Sequence, residues 1–423
     1  MAKSHLIMHH PSLSRRARLL RTTMTPDTSK PAKSLIAILV ALTAIGPLGI
    51  DMYLPAIPDM ARALTTTDGA VQLSLMTFFI GLMLGQLAYG PLSDKFGRKP
   101  MIYIGLGIFS AGSIGCALAT DIATLQWLRF IQGLGASIGM VIAFAIVKDT
   151  CKGPALGKMM SLVLAVMGLC PILAPMAGNV VQELGSWRSI FWVLLAYGVV
   201  LAGSALARLP ESRSPEDRES FVLSRTFHSY GRIITDKSFV PFALALCIAQ
   251  AGFFAYIAGS ASVFINHFEV SPTTFSLLFA MNALGLVVAS ILNPKMHQRF
   301  GPLTTYKGAT LLYLASTAVL MVYVLAGGSS IIVVCAGLFI AIALMGFIMP
   351  TGSQLALMEQ RQMAGTASAL LGSLQFGGGA VITALSGAVA WMGSTGLIML
   401  MLGSALVSSL ICLMTFPKAL KNR

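Results

Sequence analysis

The chain has 423 residues, of which 56% are hydrophobic and only 10% are charged. Soluble domains carry about a quarter charged residues, so this composition excludes a soluble globular protein and predicts a polytopic membrane protein. The formal net charge is +14, but a nucleic-acid partner would require basic residues clustered on one face, and they are distributed differently here. The six cysteines are scattered and form no C-x-x-C pair, so we predict no disulfide framework, no metal site and no cofactor.

Residues 1–33 are polar and basic, with no acidic residue before Asp27 and no apolar core of the signal-peptide type. We predict a basic cytoplasmic tail. An Arg-rich, acid-poor start is also typical of organelle transit peptides. Met24 is an alternative translation start, in which case residues 1–23 would be absent from the cell.

Hydropathy predicts twelve membrane spans of about 20 residues or more after this tail. The predicted cores are residues 35–55, 71–92, 101–119, 124–147, 158–181, 188–208, 239–265, 274–293, 306–326, 330–350, 365–391 and 394–416. If the spans alternate, nearly all lysines and arginines lie on the side of the amino terminus; the other side holds only Arg62 and Arg188. This asymmetry predicts that both termini are cytoplasmic, and it explains the basic charge as topology.

A long charged connection separates two groups of six spans. Lys95-Phe96-Gly97 follows the second span, and Arg299-Phe300-Gly301 follows the eighth at the equivalent place, which indicates an internal duplication. We predict an N-terminal bundle, a cytoplasmic central loop, a C-terminal bundle and a cytoplasmic tail, over residues 34–209, 210–238, 239–417 and 418–423 respectively. Duplicated halves place a transporter's substrate site near the midplane between them.

One carboxylate, Asp51, lies deep within the first predicted span. Inserting a charged residue there costs roughly 2.5–3.5 kcal/mol of free energy on insertion scales. The carboxylate therefore requires a partner, a bound proton or a functional role. Arg129 in the fourth span is predicted at similar depth from its distance to the helix end. If these spans are neighbours, Arg129 would hold Asp51 ionised until a proton or a substrate displaces it. The alternative is an interfacial Arg129 that snorkels to the outer surface.

The loop after the second span combines turn residues with charges. Gly90-Pro91 is predicted to form a tight turn, and Asp94, Gly97 and Arg98 follow it. Asp94 can face a helix amino terminus, and Arg98 can bind a carboxylate or an anionic lipid. The alternative is a basic turn that only fixes topology.

The fifth span is rich in glycine and proline near its second half. Gly168, Pro171, Pro175 and Gly178 occur there, followed by Asn179. This composition predicts a kinked helix that lets its neighbours approach closely. A kink used for packing alone is the alternative.

These motifs together resemble a known family. Residues 90–100 are similar, almost residue for residue, to the cytoplasmic signature loop of the major facilitator superfamily. Residues 168–179 resemble its antiporter signature, except that Asn179 stands where the signature has a second glycine. With the motif Asp51-Met52-Tyr53-Leu54-Pro55, residues 34–417 resemble the drug:proton antiporters of the bicyclomycin and chloramphenicol resistance subfamily.

The resemblance implies an all-α membrane protein with twelve transmembrane helices in two six-helix bundles, the major facilitator fold. It implies that the first and fourth spans are neighbours and that Asp51 and Arg129 couple protons to substrate. It also implies two gating elements. The inner gate loop, which would close the inner side, contains Gly90, Asp94, Gly97 and Arg98; the antiporter kink, which would seal the pathway, contains Gly168, Pro171, Pro175 and Gly178.

Further polar and aromatic residues within the spans are candidates for a substrate pocket, because a few such groups orient a ligand in an apolar site. Each is alternatively a packing or interhelical hydrogen-bonding residue. The candidates are Tyr53, Gln132, Gln250, Phe253, Phe254, Asn282 and Gln375.

We therefore expect a multi-pass transporter of the bacterial inner membrane that exports small, largely apolar or cationic compounds in exchange for protons, working as a monomer. The alternatives within its class are a dedicated exporter of a sugar or amino acid and a proton symporter. A membrane-embedded enzyme would need a clustered nucleophile, base or metal site, and the spans contain no His/Asp/Glu cluster, so we predict no enzymatic activity.

Overall fold

The computed structural model describes residues 33–213, residue 216 and residues 223–421. Some of the predicted segments therefore lie outside the described residues. These are the amino-terminal tail up to residue 32, parts of the central loop at 214–215 and 217–222, and the last two residues of the carboxyl-terminal tail. The predicted domain boundaries stay a prediction.

Twelve helices long and apolar enough to cross a membrane occur within the described residues, as predicted. They are Lys33–Ala63, Asp68–Phe96, Arg98–Leu118, Ile122–Thr150, Gly153–Glu183, Trp187–Arg208, Val240–His267, Pro272–Phe300, Pro302–Leu325, Ile331–Leu357, Ala364–Ala388 and Ser394–Met414. We number them as the first to twelfth spans. Because twelve is even, the chain ends on the face where it begins; we call this the terminal face and the other the opposite face.

Polar residues fix where several spans begin. Thr67, Asp121 and Ser271 each accept a hydrogen bond from a backbone amide in the first turn of the helix that follows. These caps lie beyond the apolar cores, so the helices extend past the predicted boundaries. The twelfth helix likewise continues past its span to Lys421.

The first span is broken directly after its carboxylate. One helix covers Lys33–Asp51, a 3-10 turn covers Leu54–Ala56, and a short helix covers Ile57–Ala63. Pro55 lacks the amide hydrogen that would bond the Asp51 carbonyl in a continuous helix, which accounts for a break at this point. The span, Lys33–Ala63, is longer than its predicted core, 35–55, and Asp51 lies at the break.

The two groups of six spans use the same internal contacts. The second span packs on the fourth as the eighth packs on the tenth, and the third packs on the sixth as the ninth packs on the twelfth. Gly97 (φ 97°, ψ 158°) and Gly301 (φ 77°, ψ 158°) end the second and eighth spans in nearly the same backbone conformation. Positive φ favours glycine, because it has no Cβ. Between the groups, the second span packs on the eleventh and the fifth on the eighth.

The tight turn predicted at Gly90-Pro91 is wrong. The second span continues through both residues to Phe96, with Pro91 inside the helix, and the turn is made at Gly97. Pro91 cannot donate to the carbonyl of Leu87, and the hydroxyl of Tyr230 donates to this oxygen instead, at 3.1 Å. Tyr230 lies on a connecting helix, Leu223–Ile234, between the sixth and seventh spans.

Candidate functional site

The two halves meet closely at the opposite face. Gln72 of the second span donates to Ser262 of the seventh at 3.1 Å and accepts from Ser386 of the eleventh at 3.0 Å. Gly69 and Gly387 are in backbone contact there, since a Cβ added at Gly69 would lie 2.4 Å from the Gly387 carbonyl oxygen. Two hydrogen bonds and a close backbone contact therefore hold the second span against the other half.

Two further contacts close the same face. Asn266, in the π-helical turn that ends the seventh span, donates to Asp68 at 2.5 Å. Asn179 of the fifth span donates to Glu183 at 2.8 Å and to Thr273 of the eighth span at 3.0 Å. Asn179 thus uses its side chain to join the halves at the position where the family's antiporter signature has a glycine.

Asp51 is buried between the halves, with 2% of its surface exposed. Its Oδ1 atom has no hydrogen-bond partner. The fifth span lies against the adjoining residue: a Cβ added at Gly178 would lie 1.7 Å from the Met52 carbonyl oxygen. Cys170 of the fifth span and Tyr256 of the seventh lie within electrostatic range of Asp51.

The predicted ion pair between Asp51 and Arg129 is not formed. The Arg129 guanidinium lies over the rings of Tyr53 at 4.4 Å, Phe78 at 4.2 Å and Phe191 at 5.9 Å. Such cation–π contacts stabilise a buried guanidinium. Tyr53 lies beyond the helix that ends at Asp51, and it is Tyr53, not Asp51, that contacts the guanidinium. The alternative prediction of a snorkelling Arg129 is also wrong, since its side chain is fully buried.

Gln132 belongs to the same enclosed group within the N-terminal bundle. It accepts from Arg129 Nη1 at 2.7 Å and donates to Ser113 of the third span at 2.8 Å. Of the predicted pocket candidates, Gln132 and Tyr53 are therefore placed inside one half and not between the halves. Their structural role here is to hold the Arg129 guanidinium.

An aromatic cluster joins the halves in the interior. Phe79 of the second span lies 4.7 Å from Phe254 of the seventh and 6.0 Å from Phe376 of the eleventh, measured between ring centroids. The predicted candidates Phe253 and Gln375 adjoin this cluster in sequence, and Phe253 lies 6.0 Å from Phe254. Phe79 and Phe376 were not predicted, because nothing in an apolar span shows which phenylalanine faces the other half.

The remaining two candidates are buried amides on the second half. Gln250 is 6% exposed and its Oε1 atom has no hydrogen-bond partner. Asn282 donates to the hydroxyl of Tyr256 at 2.8 Å, so it does make the interhelical bond that was its alternative interpretation. Its Oδ1 atom nevertheless has no partner. Buried acceptors without donors are suited to a ligand that carries hydrogen-bond donors.

The fifth span remains one helix through the residues of the predicted kink. Pro171 and Pro175 lie inside it, and the Pro175 carbonyl accepts from Ser276 of the eighth span at 3.3 Å. A Cβ added at Gly168 of the fifth span would lie 3.2 Å from Val287 of the eighth span. The predicted close approach of neighbouring helices therefore occurs along this stretch.

A network of charges surrounds the predicted inner gate loop at the terminal face. Arg98 contacts Asp94 at 2.8 Å, Asp149 of the fourth span at 3.0 Å and Ser93 at 2.5 Å. Asp94 is also bonded to Arg213 after the sixth span. The network thus ties together the second, third and fourth spans and the central loop.

Glu211 adds a cap to this network. It accepts from the backbone amides of Arg98 and Lys99 at 3.0 and 3.1 Å, at the start of the third span. A carboxylate is favoured at a helix amino terminus, where amides lack intrahelical partners. The role of Asp94 and Arg98 in closing this face stays a prediction.

The central loop is also joined to the second half. Asp236 accepts from Gln360, between the tenth and eleventh spans, at 2.7 Å and from the Ser238 amide at 2.8 Å. Burial acts to raise the pKa of Asp236, but these hydrogen bonds outweigh it, so the pKa lies below its usual range. Since Tyr230 bonds the second span, the connecting segment contacts both halves.

The fold and the buried interface between its halves define a membrane transporter of small molecules built from two six-helix units. The family model of the Major Facilitator Superfamily matches residues 39–383, and the chain belongs to this superfamily.

Similar proteins support this assignment. The chain is 35% identical to the "Uncharacterized MFS-type transporter YdgK" of Bacillus subtilis, over 85% of this chain and 90% of that protein. It is 27% identical to the "Bicyclomycin resistance protein homolog" of Haemophilus influenzae, over 83% of this chain and 88% of that protein. It is 28% identical to "Multidrug resistance protein D" of Escherichia coli, over 88% and 94%. A solved D-xylose-proton symporter shares the fold, with a TM-score of 0.71 at 15% identity, over 91% and 98%.

Proposed function

We propose that this chain is a proton antiporter that exports small, largely apolar or cationic drugs across the bacterial inner membrane. In this proposal the terminal face is cytoplasmic, as the distribution of Lys and Arg favours, and the protein works as a monomer. The observation that carries it is Asp51, a buried carboxylate with an unpartnered oxygen at a helix break between the halves. The drug-resistance names of its relatives support the substrate class.

The mechanism is competition for Asp51. With the site open to the outside, a proton binds the carboxylate and substrate leaves; with the site open to the cytoplasm, the proton leaves and substrate binds. One charge crossing 100 mV is worth about 2.3 kcal/mol, and about 1.4 kcal/mol corresponds to tenfold. One proton per neutral drug would therefore sustain a gradient of roughly 40-fold from the membrane potential alone.

The test is Asp51→Asn, which keeps the size of the side chain and removes the titratable group. We expect the purified variant to release no protons when drug is added, and proteoliposomes containing it to show no drug transport driven by a pH gradient. Asp59→Asn is the matched control, because Asp59 lies in the same span but is partly exposed and paired with Arg62. Undiminished coupled transport in Asp51→Asn would overturn the proposal. A pH gradient that moves drug in the direction of the protons would indicate a symporter instead.

Alternating access predicts that locking the opposite face stops transport. Asp68 and Asn266 face each other across the halves, with their side-chain atoms 2.5 Å apart. We expect the double substitution Asp68→Cys and Asn266→Cys to lose transport on cross-linking with a short thiol reagent and to recover it on reduction. The native cysteines are all buried and unpaired, and each single substitution with the same reagent is a control. Continued transport by the cross-linked protein would contradict a moving gate at this face.

A further inference from the structure

Tyr256 and Asn282 form a buried polar pair on the second half of the transporter. Asn282 donates from Nδ2 to the Tyr256 hydroxyl at 2.8 Å, and each residue is 1% exposed. The ring of Tyr256 stacks on Phe279 at 5.3 Å with an interplanar angle of 17°. The hydrogen bond and the stacked ring together fix where the hydroxyl lies.

Helix contacts place this pair opposite Asp51. The eighth span touches the fifth on both sides of Asn282, through Ser276 at one end and Val287 at the other. The turn Leu54–Ala56, close after Asp51, contacts both the seventh and the eighth spans. The pair therefore lies where the helix break of the first half meets the second half.

The hydrogen-bonding capacity of the two groups is complementary. Since the Tyr256 oxygen accepts from Asn282, its own hydrogen remains available to another acceptor. Asp51 Oδ1 is a buried acceptor without a partner, and the two residues are within electrostatic range of each other. The two side chains make no direct hydrogen bond in this structure.

We propose that Tyr256, held by Asn282, is a positioning residue that stabilises the ionised form of Asp51 across the two halves through its hydroxyl hydrogen. The inference rests on the proposed function, because it takes Asp51 as the proton site. When the opposite face opens, the seventh span withdraws, Asp51 loses this donor and a proton binds in its place. Tyr256 thereby couples the protonation of Asp51 to the face that is open.

Titratable groups surround this region on both halves; Cys335 of the tenth span lies within electrostatic range of Tyr256, and the first half contributes several more. The fourth span contributes Arg129, which is enclosed by aromatic rings, and the fifth contributes Cys170. Beside Cys170 lies Tyr197 of the sixth span, whose hydroxyl donates to the Ala41 carbonyl at 2.7 Å. The first span itself contributes Tyr53. These first-half groups remain with Asp51 when the halves separate, whereas Tyr256 moves with the second half and therefore reports the separation to Asp51.

The test is the pH dependence of drug-induced proton release in Tyr256→Phe, which keeps the stacked ring and removes the hydroxyl. Removing a donor disfavours the carboxylate, so we expect the pH of half-maximal release to rise by about one unit, about tenfold in the protonation equilibrium. Asn282→Leu removes the side chain that holds the Tyr256 hydroxyl but keeps the hydroxyl itself. We expect it to raise the pH of half-maximal release by a smaller amount. Tyr313→Phe is the matched control, since it removes another fully buried hydroxyl, on the ninth span, and should cause no shift.

The outcomes separate the role of Tyr256 from the proposed function, in which Asp51 is the proton site. An unchanged midpoint in folded Tyr256→Phe, alongside lost release in Asp51→Asn, would overturn the role of Tyr256 and leave the proposed function intact. Persistent release in Asp51→Asn would overturn the proposed function itself. If Tyr256→Phe does not fold, the Asn282→Leu variant serves as the test. An unchanged pH of half-maximal proton release in Asn282→Leu would then overturn the inference.

Discussion

Gly178→Ala is expected to destabilise the protein by about 3 kcal/mol or more and to stop transport. The added Cβ would lie 1.7 Å from the carbonyl oxygen of Met52, a backbone atom that cannot rotate away. Overpacking a close contact costs roughly 1–3 kcal/mol and occasionally more, and a clash with backbone belongs to the upper end. The first and fifth spans must then separate beside Asp51. Thermal unfolding in detergent and drug transport in proteoliposomes measure the two effects.

Gly157→Ala provides the control on the same helix. A Cβ added at Gly157 meets no heavy atom within 4 Å, so the substitution only changes helix propensity. Alanine is favoured over glycine within a helix by about 1 kcal/mol, so we expect an unchanged or slightly higher melting temperature. A Gly178→Ala protein as stable as its parent would show that the first and fifth spans are not in this contact.

The spans were predictable from the sequence because the bilayer sets their length and apolar character independently of any partner. Each predicted core overlaps its helix, and the errors lie at the ends, where Thr67 and Asp121 extend helices by capping them. The continuous helix through Pro91 was not predicted. Pro91 leaves the Leu87 carbonyl without its intrahelical donor, and this carbonyl accepts a hydrogen bond from Tyr230, a residue more than a hundred positions away.

The candidate site was only partly predictable, because sequence indicates the depth of a residue better than the direction of its side chain. Asp51 and Arg129 are both buried, as their positions suggested, yet Tyr53 lies against the guanidinium and Asp51 does not. Tyr256 carries no sequence signal that separates it from a packing tyrosine. Its importance comes from Asn282, which holds its hydroxyl, and from the break in the facing first span.

The terminal-face network shows the same division between local and long-range information. Asp94 and Arg98 were both identified from the loop motif, and they lie only four residues apart in the chain and form an ion pair. Asp149 and Glu211 were not predicted as partners, because their approach to Arg98 depends on how the fourth span and the central loop pack.

Arg98→Met is expected to destabilise the protein by about 2–4 kcal/mol, because it leaves two carboxylates without their shared cation. The Arg98 side chain is 7% exposed, whereas those of Asp94 and Asp149 are 34% and 27% exposed. Breaking a fully buried pair costs about 3–5 kcal/mol, and partial access to water reduces this value. Ser93 also loses its bond to Arg98 Nη1. Urea or thermal unfolding in detergent measures the change.

Lys99→Met removes the same charge from the adjacent position and is the control. Lys99 is partly exposed, and within the described residues its side chain donates only to the Leu206 carbonyl, at 3.2 Å. A surface charge of this kind contributes about 0–1 kcal/mol, so we expect little change in stability. If both variants lose the same stability, the effect follows from net charge at this face and not from the pairing of Arg98 with Asp94 and Asp149. If only Arg98→Met is destabilised, and high salt does not remove the difference, the buried network itself holds the second, third and fourth spans together.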